Sequence, residues 1–261
     1  MAHAIQRGPT VRREVPDGQA QPWTRRRSGR GSTPSGGGRR GRILAAIHIR
    51  WRLCFRVTSW RERPESILEH VTDPADLVDV LAVLAAGASV IVDPAHAATG
   101  PGASWIMLPF LRPGPSRLTD GSRYGVFYAG RPQATAIAET TYHYARFLAD
   151  SREPATLLGV QMLRCSVRGA MVDIRGAKLT RPDLYDPDPA RYGPAQQWAD
   201  ARHSEGHEGI VYDSVRNTSG QCIAVFSPRC VTRCRPAGYF AYEWDGTAIV
   251  RAHRMREAWR A

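Results

Sequence analysis

The stretch that most constrains the fold is YGVFYAGRPQATAIAETTYHY, which occupies residues 124–144. Its first part, ending at Tyr128, is apolar and aromatic and predicts a short strand that exits at Ala129–Gly130. Pro132 then falls in the first turn of the next segment, where a missing N–H costs a helix least. Small and apolar residues follow at helical spacing and predict a buried stripe: Ala134, Ile137, Ala138, Thr141, Ala145 and Leu148. The stretch therefore predicts a strand followed at once by a helix.

This strand and helix carry an aromatic ring and a carboxylate that are suited to lining one cleft. Tyr128 ends the strand, and Glu139 follows eleven residues later on the helix. Glu139 lies off the apolar stripe, however, and an exposed acid that pairs with His143 one turn later is the simpler interpretation of this window alone. The rest of the chain has to decide between the two interpretations.

Basic charge is concentrated at the N-terminal end of the chain. The 261 residues carry a formal net charge of +12, and residues 1–42 contain ten arginines against only Glu14 and Asp17, so this leader carries +8 and the remainder +4. The leader has few periodic apolar residues, and we expect it to be disordered. A nucleic-acid-binding arm or a transit peptide would have this composition, but we favour an idle tail or a start assigned too early. We expect one folded domain over residues 43–250 and a C-terminal tail over residues 251–261.

Cysteine and histidine usage predicts reduced thiols and no metal. Five cysteines are an odd number, and the chain shows no secretory leader, so we expect a cytoplasmic protein. No apolar run approaches the ~20 residues that span a bilayer. A few residues have spacings that a zinc site uses: His203, His207, Cys222, Cys230 and Cys234. No second pair repeats these spacings, and we therefore expect no metal site.

A second informative stretch, GIVYDSVRNTSGQCIAVF, begins at Gly209. It predicts two strands, 209–215 and 221–226, joined by a polar turn, which is the pattern of a β-hairpin. Ser214 and Arg216 follow the first strand, and a hydroxyl beside a guanidinium suits recognition of a phosphate-bearing ligand. By itself the hairpin is better explained by a serine and an arginine that only face solvent.

Other elements can be placed only coarsely. Strands are predicted within 43–57 and over 157–163 and 170–174, and helices over 66–86 and 195–203. No glycine-rich phosphate loop with its lysine and no G-x-S-x-G nucleophile elbow is present. The sequence therefore gives no indication of a P-loop NTPase or of a serine hydrolase with a nucleophile elbow.

Four segments occur in the order typical of one known family. They are FRVTSWRERPESILEHV from Phe55, GPGASWIMLPF from Gly100, SRLTDGSRYGVFYAGRPQATAIAETTYH from Ser116 and GIVYDSVRNTSGQCIAVFSPR from Gly209. On these segments the chain resembles the RES-domain family, which is named for an Arg, a Glu and a Ser and whose members are toxins of bacterial toxin–antitoxin pairs. The resemblance covers residues 55–244, most of the chain that is predicted to fold.

The resemblance implies a fold and a set of site residues. The fold is a single α+β domain similar to ADP-ribosyltransferases, with twisted mixed or antiparallel sheets and flanking helices. Four residues take the positions of the family's catalytic groups: Arg56, Tyr128, Glu139 and Ser214. Further guanidiniums expected beside the substrate are Arg61 and Arg117, to which the hairpin adds Arg216. Arg52 is a rival for the position assigned to Arg56.

The substrate implied by the resemblance is NAD⁺, cleaved at the nicotinamide–ribose bond by water or phosphate. Arg56, assisted by Arg117, would clamp the pyrophosphate, and Tyr128 would stack on the nicotinamide. Glu139 would stabilise the positive charge that develops on the ribose, without a metal. Ser214 would hydrogen-bond the ribose or the carboxamide.

The resemblance also implies a partner, an Xre-type helix-turn-helix antitoxin that covers the cleft. We expect no membrane association and no direct nucleic-acid binding by this chain. The alternative enzymatic activity is transfer of ADP-ribose to a protein target. A non-enzymatic basic protein that binds nucleic acid is the alternative from another class.

Overall fold

The computed structural model describes residues 45–60, 74–84 and 92–256, so the leader over residues 1–42 lies outside it. Strands and helices within these ranges have the following bounds: β1 Ala46–Ser59, α1 Pro74–Leu84, α2 Ala103–Leu111, β2 Phe127–Arg131, α3 Gln133–Asp150, β3 Thr156–Asp173, α4 Gly193–Ser204, β4 Gly209–Asp213, β5 Gln221–Val225, β6 Val231–Trp244 and β7 Ile249–Met255. None of the described helices is both long enough and apolar enough to cross a bilayer.

The described strands form a single mixed sheet. Their order is β1-β2-β5-β4-β3-β6-β7, and β1 also pairs with β3. This extra pairing closes the first five strands of that order into a ring, from which β6 and β7 extend. β3 and β4 run parallel, whereas the other pairs run antiparallel. The expected α+β class is confirmed, with one closed sheet where we expected two.

The ring closes around alternate apolar residues of its strands. In β1, Ile49 and Trp51 are at most 6% exposed and belong to the interior cluster, whereas Arg50 between them is exposed. Phe127 of β2 and Leu163 of β3 fill the same cluster. Because side chains alternate across a strand, each strand of the ring contributes one face to this core and one face to its outer side.

A bulge in β1 changes which residues face the ring interior. The register of β1 against β3 shifts between Trp51 and Cys54, and both of these residues lie in the interior cluster. Odd-numbered residues of β1 therefore face the interior before the bulge, and even-numbered residues face it afterwards. Arg56 accordingly points inward, with its Cζ atom 5.0 Å from the centroid of the Phe127 ring. Arg52, within the bulge, is exposed. The two rival arginines of the sequence therefore occupy different environments.

Three expectations about individual elements need correction. The strands expected over 157–163 and 170–174 are one strand, β3, because the polar residues between them point outward while Cys165 and Val167 fill the interior. Residue 250, where we expected the domain to end, lies inside β7, which pairs with β6. In α3, Leu148 is buried as expected, but Ala134 is exposed.

The close approach of α3 to β2 depends on Gly130. A Cβ atom built on Gly130 would lie 2.7 Å from the backbone nitrogen of Ala136, in the first turn of α3. Gly130 is also fixed on both sides within the sheet, because it pairs with Phe55 of β1 and with Cys222 of β5. The strand therefore cannot move aside, and any side chain at this position has to push α3 outward.

We expect Gly130→Ala to lower the free energy of unfolding by about 1–3 kcal/mol, since it inserts a methyl group into a filled contact. Urea unfolding followed by circular dichroism measures the change. Gly193→Ala is the matched control, because a Cβ atom there meets nothing within 4 Å. Equal stability of the Gly130 variant and the parent would contradict the close approach.

Candidate active site

The hydroxyl of Ser214 organises the turn between β4 and β5, which form the expected hairpin. Its Oγ atom accepts the backbone N–H of Arg216 at 3.1 Å and that of Asn217 at 2.9 Å. The backbone N–H of Ser214 donates to the carbonyl of Gly220 at 2.9 Å. A hydroxyl accepts two hydrogen bonds and donates one, so only its proton remains for another partner.

That proton is donated to Glu139 on α3. Ser214 Oγ lies 2.6 Å from Glu139 Oε1, and Cys222 Sγ donates to the same oxygen at 3.6 Å. Burial, reinforced by the neighbouring Glu139, raises the pKa of the Cys222 thiol, which therefore stays protonated and able to donate. No donor among the described residues reaches Oε2. One oxygen of Glu139 is thus anchored, and the other is available to a ligand.

The hairpin turn is held against the first turn of α3. Asn217 Nδ2 donates to Thr135 Oγ1 at 2.9 Å, and a Cβ atom on Gly220 would collide with the same Thr135 side chain. Residues four apart share one face of a helix, so the contact at Thr135 also turns Glu139 toward the hairpin. The acid is therefore positioned by the packing of a turn on a helix.

Arg117 carries a buried guanidinium that has no hydrogen-bond partner among the described residues. The residue is 8% exposed, and none of its side-chain N–H groups is hydrogen-bonded to a described residue. Its Cζ atom lies 4.8 Å from the ring centroid of Tyr212 and 6.0 Å from that of Tyr185. Burial acts to lower the pKa of Arg117, but the nearby Tyr212 and Glu139 outweigh it and raise the pKa. A buried cation with unused donors is suited to binding an anion.

Tyr128 lies beside this guanidinium on the outer face of β2. Its hydroxyl is hydrogen-bonded to Ser116 Oγ at 2.6 Å, and its ring packs against the cluster that contains Tyr212 and Cys222. Burial raises the pKa of Tyr128 to about 12, although the hydrogen bond to Ser116 and the charge of Arg117 act in the opposite direction. The phenol is therefore neutral, and it lies near enough to Arg117 for the charge of the guanidinium to act on it.

Arg56 does not join this group. Its guanidinium lies on the Phe127 side of β2, whereas Tyr128, the next residue, faces the outer side. Arg56 Nη1 donates to the backbone oxygen of Tyr128 at 3.2 Å, so it contacts the strand but not the ring of the tyrosine. Arg61, the other early arginine of the prediction, lies outside the described residues.

Arg216 bridges the hairpin turn to its neighbours. Its Cζ atom lies 3.3 Å from the ring centroid of Tyr142 on α3, and its Nη2 donates to the carbonyl of Pro187 at 2.7 Å. Its Nε is buried and has no hydrogen-bond partner in the part of the chain that the structure describes. Because the backbone N–H of Arg216 also donates to Ser214, this arginine lies at the margin of the site.

The structure thus brings together Tyr128, Glu139, Ser214 and Arg117. Sequence reasoning overlooked two further contributors, Cys222 and Tyr212, which are directly paired across β4 and β5. The sequence could have indicated Tyr212, because residues two apart in an extended strand point to the same face. Tyr212 is therefore expected on the face that carries Ser214. Cys222 was considered only as a zinc ligand.

Comparison with known proteins concerns the same part of the chain. A family model, RES domain, matches residues 91–245, which is more than half of the sequence. The chain belongs to the RES family. No curated protein matches it. Among solved structures, the crystal structure of the M. tuberculosis MbcT–MbcA toxin–antitoxin complex is similar with 13% sequence identity and a TM-score of 0.44, over 76% of this chain and 87% of that chain.

The matched range divides the predicted site residues of this RES domain. Arg117, Tyr128, Glu139 and Ser214 lie inside it, whereas Arg56 precedes it. The segment on which the assignment of Arg56 depended is therefore not part of the match. Arg56 also lies on the other face of β2 from Tyr128.

The histidines and cysteines that were considered as zinc ligands make other contacts in this RES domain. Cys222 donates to Glu139, and the ring of His203 stacks on Tyr124 with centroids 3.9 Å apart. Within the described ranges, no group of three or more His, Cys, Asp or Glu residues is arranged to hold a metal ion.

The hydrogen bond between Ser214 and Glu139 is testable as a coupling energy. In a double-mutant cycle with Ser214→Ala and Glu139→Gln, we expect the free energies of unfolding to be coupled by about 0.5–1.5 kcal/mol, because the glutamine oxygen still accepts the bond but no longer carries the charge. Denaturant unfolding of the four proteins measures it. Ser116→Ala combined with Glu139→Gln should be additive, since Ser116 bonds Tyr128 instead. A coupling near zero in the first cycle would refute the arrangement.

Proposed function

We propose that this protein is a toxin that cleaves NAD⁺ at the nicotinamide–ribose bond, with water or phosphate as the acceptor. The observation that carries the proposal is the presence of an unpaired buried cation, Arg117, beside an acid with one free oxygen, Glu139. Arg117 would bind the pyrophosphate of a dinucleotide, and Glu139 would accept a hydrogen bond from a ribose hydroxyl. Membership of the RES family supports the proposal, because RES toxins generally act on NAD⁺.

Glu139 is the proposed catalytic residue, and it acts as an ionised carboxylate. When the N-glycosidic bond breaks, its electron pair stays with the nicotinamide nitrogen, and positive charge develops on the ribose. Glu139 Oε2 would accept a ribose hydroxyl, and the carboxylate charge would stabilise that cation. Water or phosphate then forms the new bond at the anomeric carbon, and a proton passes to solvent. Because Oε1 is already anchored, little reorganisation is needed as the charge appears.

Arg117 is proposed to bind the pyrophosphate, in place of Arg56. Its five N–H donors are unused by described residues, and a guanidinium pairs with phosphate oxygens in a bidentate geometry. Tyr128, next to it, is proposed to stack on the nicotinamide ring, whose positive charge favours an aromatic face. Arg56 is then a residue that fixes β2 through the Tyr128 carbonyl.

Ser214 is proposed to position Glu139 and not to bind the ribose or the carboxamide. Its two acceptor sites are occupied by backbone N–H groups of the turn, and its proton is donated to the acid. No hydrogen-bonding capacity is left for a substrate. Its effect on catalysis would therefore be exerted through the carboxylate.

An antitoxin is the proposed partner, by the resemblance to RES toxins. A protein that consumes NAD⁺ needs restraint in the cell that makes it, and a partner of the Xre type covering the site would provide it. A neighbouring gene for a small helix-turn-helix protein would support this part of the proposal. Its absence would weaken the toxin assignment and leave the enzymatic one intact.

We expect Glu139→Gln to reduce kcat for nicotinamide release by about 10² or more with little change in KM, because one preorganised charge is lost in the transition state. Chromatographic measurement of free nicotinamide, with and without phosphate, tests this. Glu153→Gln is the control, since Glu153 is exposed. Unchanged turnover by the Glu139 variant would refute the mechanism. Loss of NAD⁺ with ADP-ribose attached to a protein would assign the transferase activity instead.

Arg117→Met should separate binding from stability. We expect KM for NAD⁺ to rise about 10-fold or more, because a charged hydrogen bond to phosphate is lost. We expect the free energy of unfolding to stay the same or to rise, because the variant removes a buried charge that lacks a hydrogen-bond partner. Steady-state kinetics and urea unfolding provide the two measurements. Arg123→Met, which changes an exposed arginine paired with Asp200, should leave KM unchanged. A normal KM in the Arg117 variant would contradict its role.

A further inference from the structure

A set of exposed arginines lies on the outer face of the sheet, away from the ring interior. Arg50 of β1 is directly opposite Arg168 of β3, and Arg164 of β3 is directly opposite Arg235 of β6. All four are exposed, since the residues that alternate with them, such as Val167, are buried in the interior cluster. We call these four residues the arginine face.

Among the described residues, no carboxylate is paired with the arginine face. None of its four guanidiniums forms an ion pair within the part of the chain that the structure describes, whereas exposed Arg123 and Arg229 each pair with an acid. Arg168 instead lies 3.4 Å from a ring nitrogen of His48, measured from its Nε. Like charges placed directly opposite each other on a sheet oppose strand pairing. Two such pairs side by side indicate a ligand that brings negative charge.

The chemistry around the arginine face favours phosphate over an acidic protein. Ser166 and Thr232 are paired between the two arginine pairs; the Ser166 hydroxyl donates to the backbone oxygen of Arg52, whereas the Thr232 side chain is exposed. The centres of protein–protein interfaces are enriched in aromatic side chains and methionine as well as arginine, whereas the positions paired between these arginines, Ser166 and Thr232, are short and polar. Guanidiniums and hydroxyls are the groups that contact nucleic-acid backbones. Neighbouring positions on this face are about 5–7 Å apart, so one phosphodiester strand can meet several of them.

We propose that the arginine face binds the phosphate backbone of nucleic acid without sequence preference. This function is independent of NAD⁺ cleavage, and it reverses our expectation that the chain makes no direct contact with nucleic acid. The expectation rested on the concentration of basic charge in the leader, which leaves a net charge of +4 for the remainder, a sum that includes every acid of the domain. The strand register concentrates four unpaired positive charges on one surface, and backbone binding responds to such local density.

The test compares two triple variants of the full chain that lose the same net charge. The first, Arg50→Gln/Arg164→Gln/Arg168→Gln, removes most of the arginine face. The second, Arg123→Gln/Arg191→Gln/Arg229→Gln, removes arginines that are paired with carboxylates. Residues 1–42 remain in both proteins, so any binding by the leader is common to them. Fluorescence anisotropy of a labelled DNA duplex and a labelled single-stranded RNA, of arbitrary sequence, is measured over a range of salt concentrations.

We expect the first triple variant to bind both probes about 10-fold or more weakly than the parent, with the slope of log K against log salt smaller in magnitude by about 2–3. The second should resemble the parent. Both should cleave NAD⁺ at the parental rate, and the first should melt no lower than the parent because repulsion is relieved. Equal affinities and slopes for the two variants would overturn the proposal. Tighter binding of polyglutamate than of either probe would overturn it in favour of an acidic protein.

Discussion

The hydrogen bond from Ser214 to Glu139 is the constraint on which the site depends. The hydroxyl can point its proton at the acid because the backbone of the turn already occupies its acceptor sites. The same turn is held against α3 through Asn217 and Thr135, so the orientation of the carboxylate follows from the packing of the hairpin. A glycine on each side of the contact, Gly130 beneath α3 and Gly220 in the turn, lets these backbones approach. The position of the Glu139 carboxylate therefore depends on the lack of a side chain at Gly130 and at Gly220.

Local patterns in the sequence were enough to predict the elements that carry the site. The strand that carries Tyr128, the helix that carries Glu139 and the hairpin after Gly209 are each encoded within about 20 residues, where periodicity and turn residues are informative. The strand nevertheless continues to Arg131, beyond the exit that was predicted at Ala129–Gly130. The buried face of α3 was predicted less well. Ala134 was expected inside and is exposed, whereas Thr135 is buried. The first turn of α3 packs on the hairpin turn, and no pattern within the helix contains that information.

Register between distant strands could not be read from the sequence, and it decides the position of Arg56. The bulge between Trp51 and Cys54 shifts the parity of β1, and closure of β1 onto β3 turns Arg56 toward Phe127. Both features depend on residues more than 100 positions away along the chain. Arg117 posed the opposite difficulty, because it lies outside the strands and helices and its importance is visible only as a buried group without a partner.

The two groups of arginines illustrate why composition alone misleads about charge. Arg117 is a single cation in a site ringed by tyrosines, where low polarity strengthens its attraction for an anion and where its own burial is unfavourable until an anion arrives. The arginine face has four cations in water, where each interaction is weak and screened, and only their number and spacing give a ligand measurable affinity. One site therefore selects a small ligand by geometry, and the other would retain a long polyanion by charge density. Because salt screens exposed charges far more than buried ones, the two kinds of binding differ in their response to ionic strength, and this difference follows from the burial of the guanidiniums.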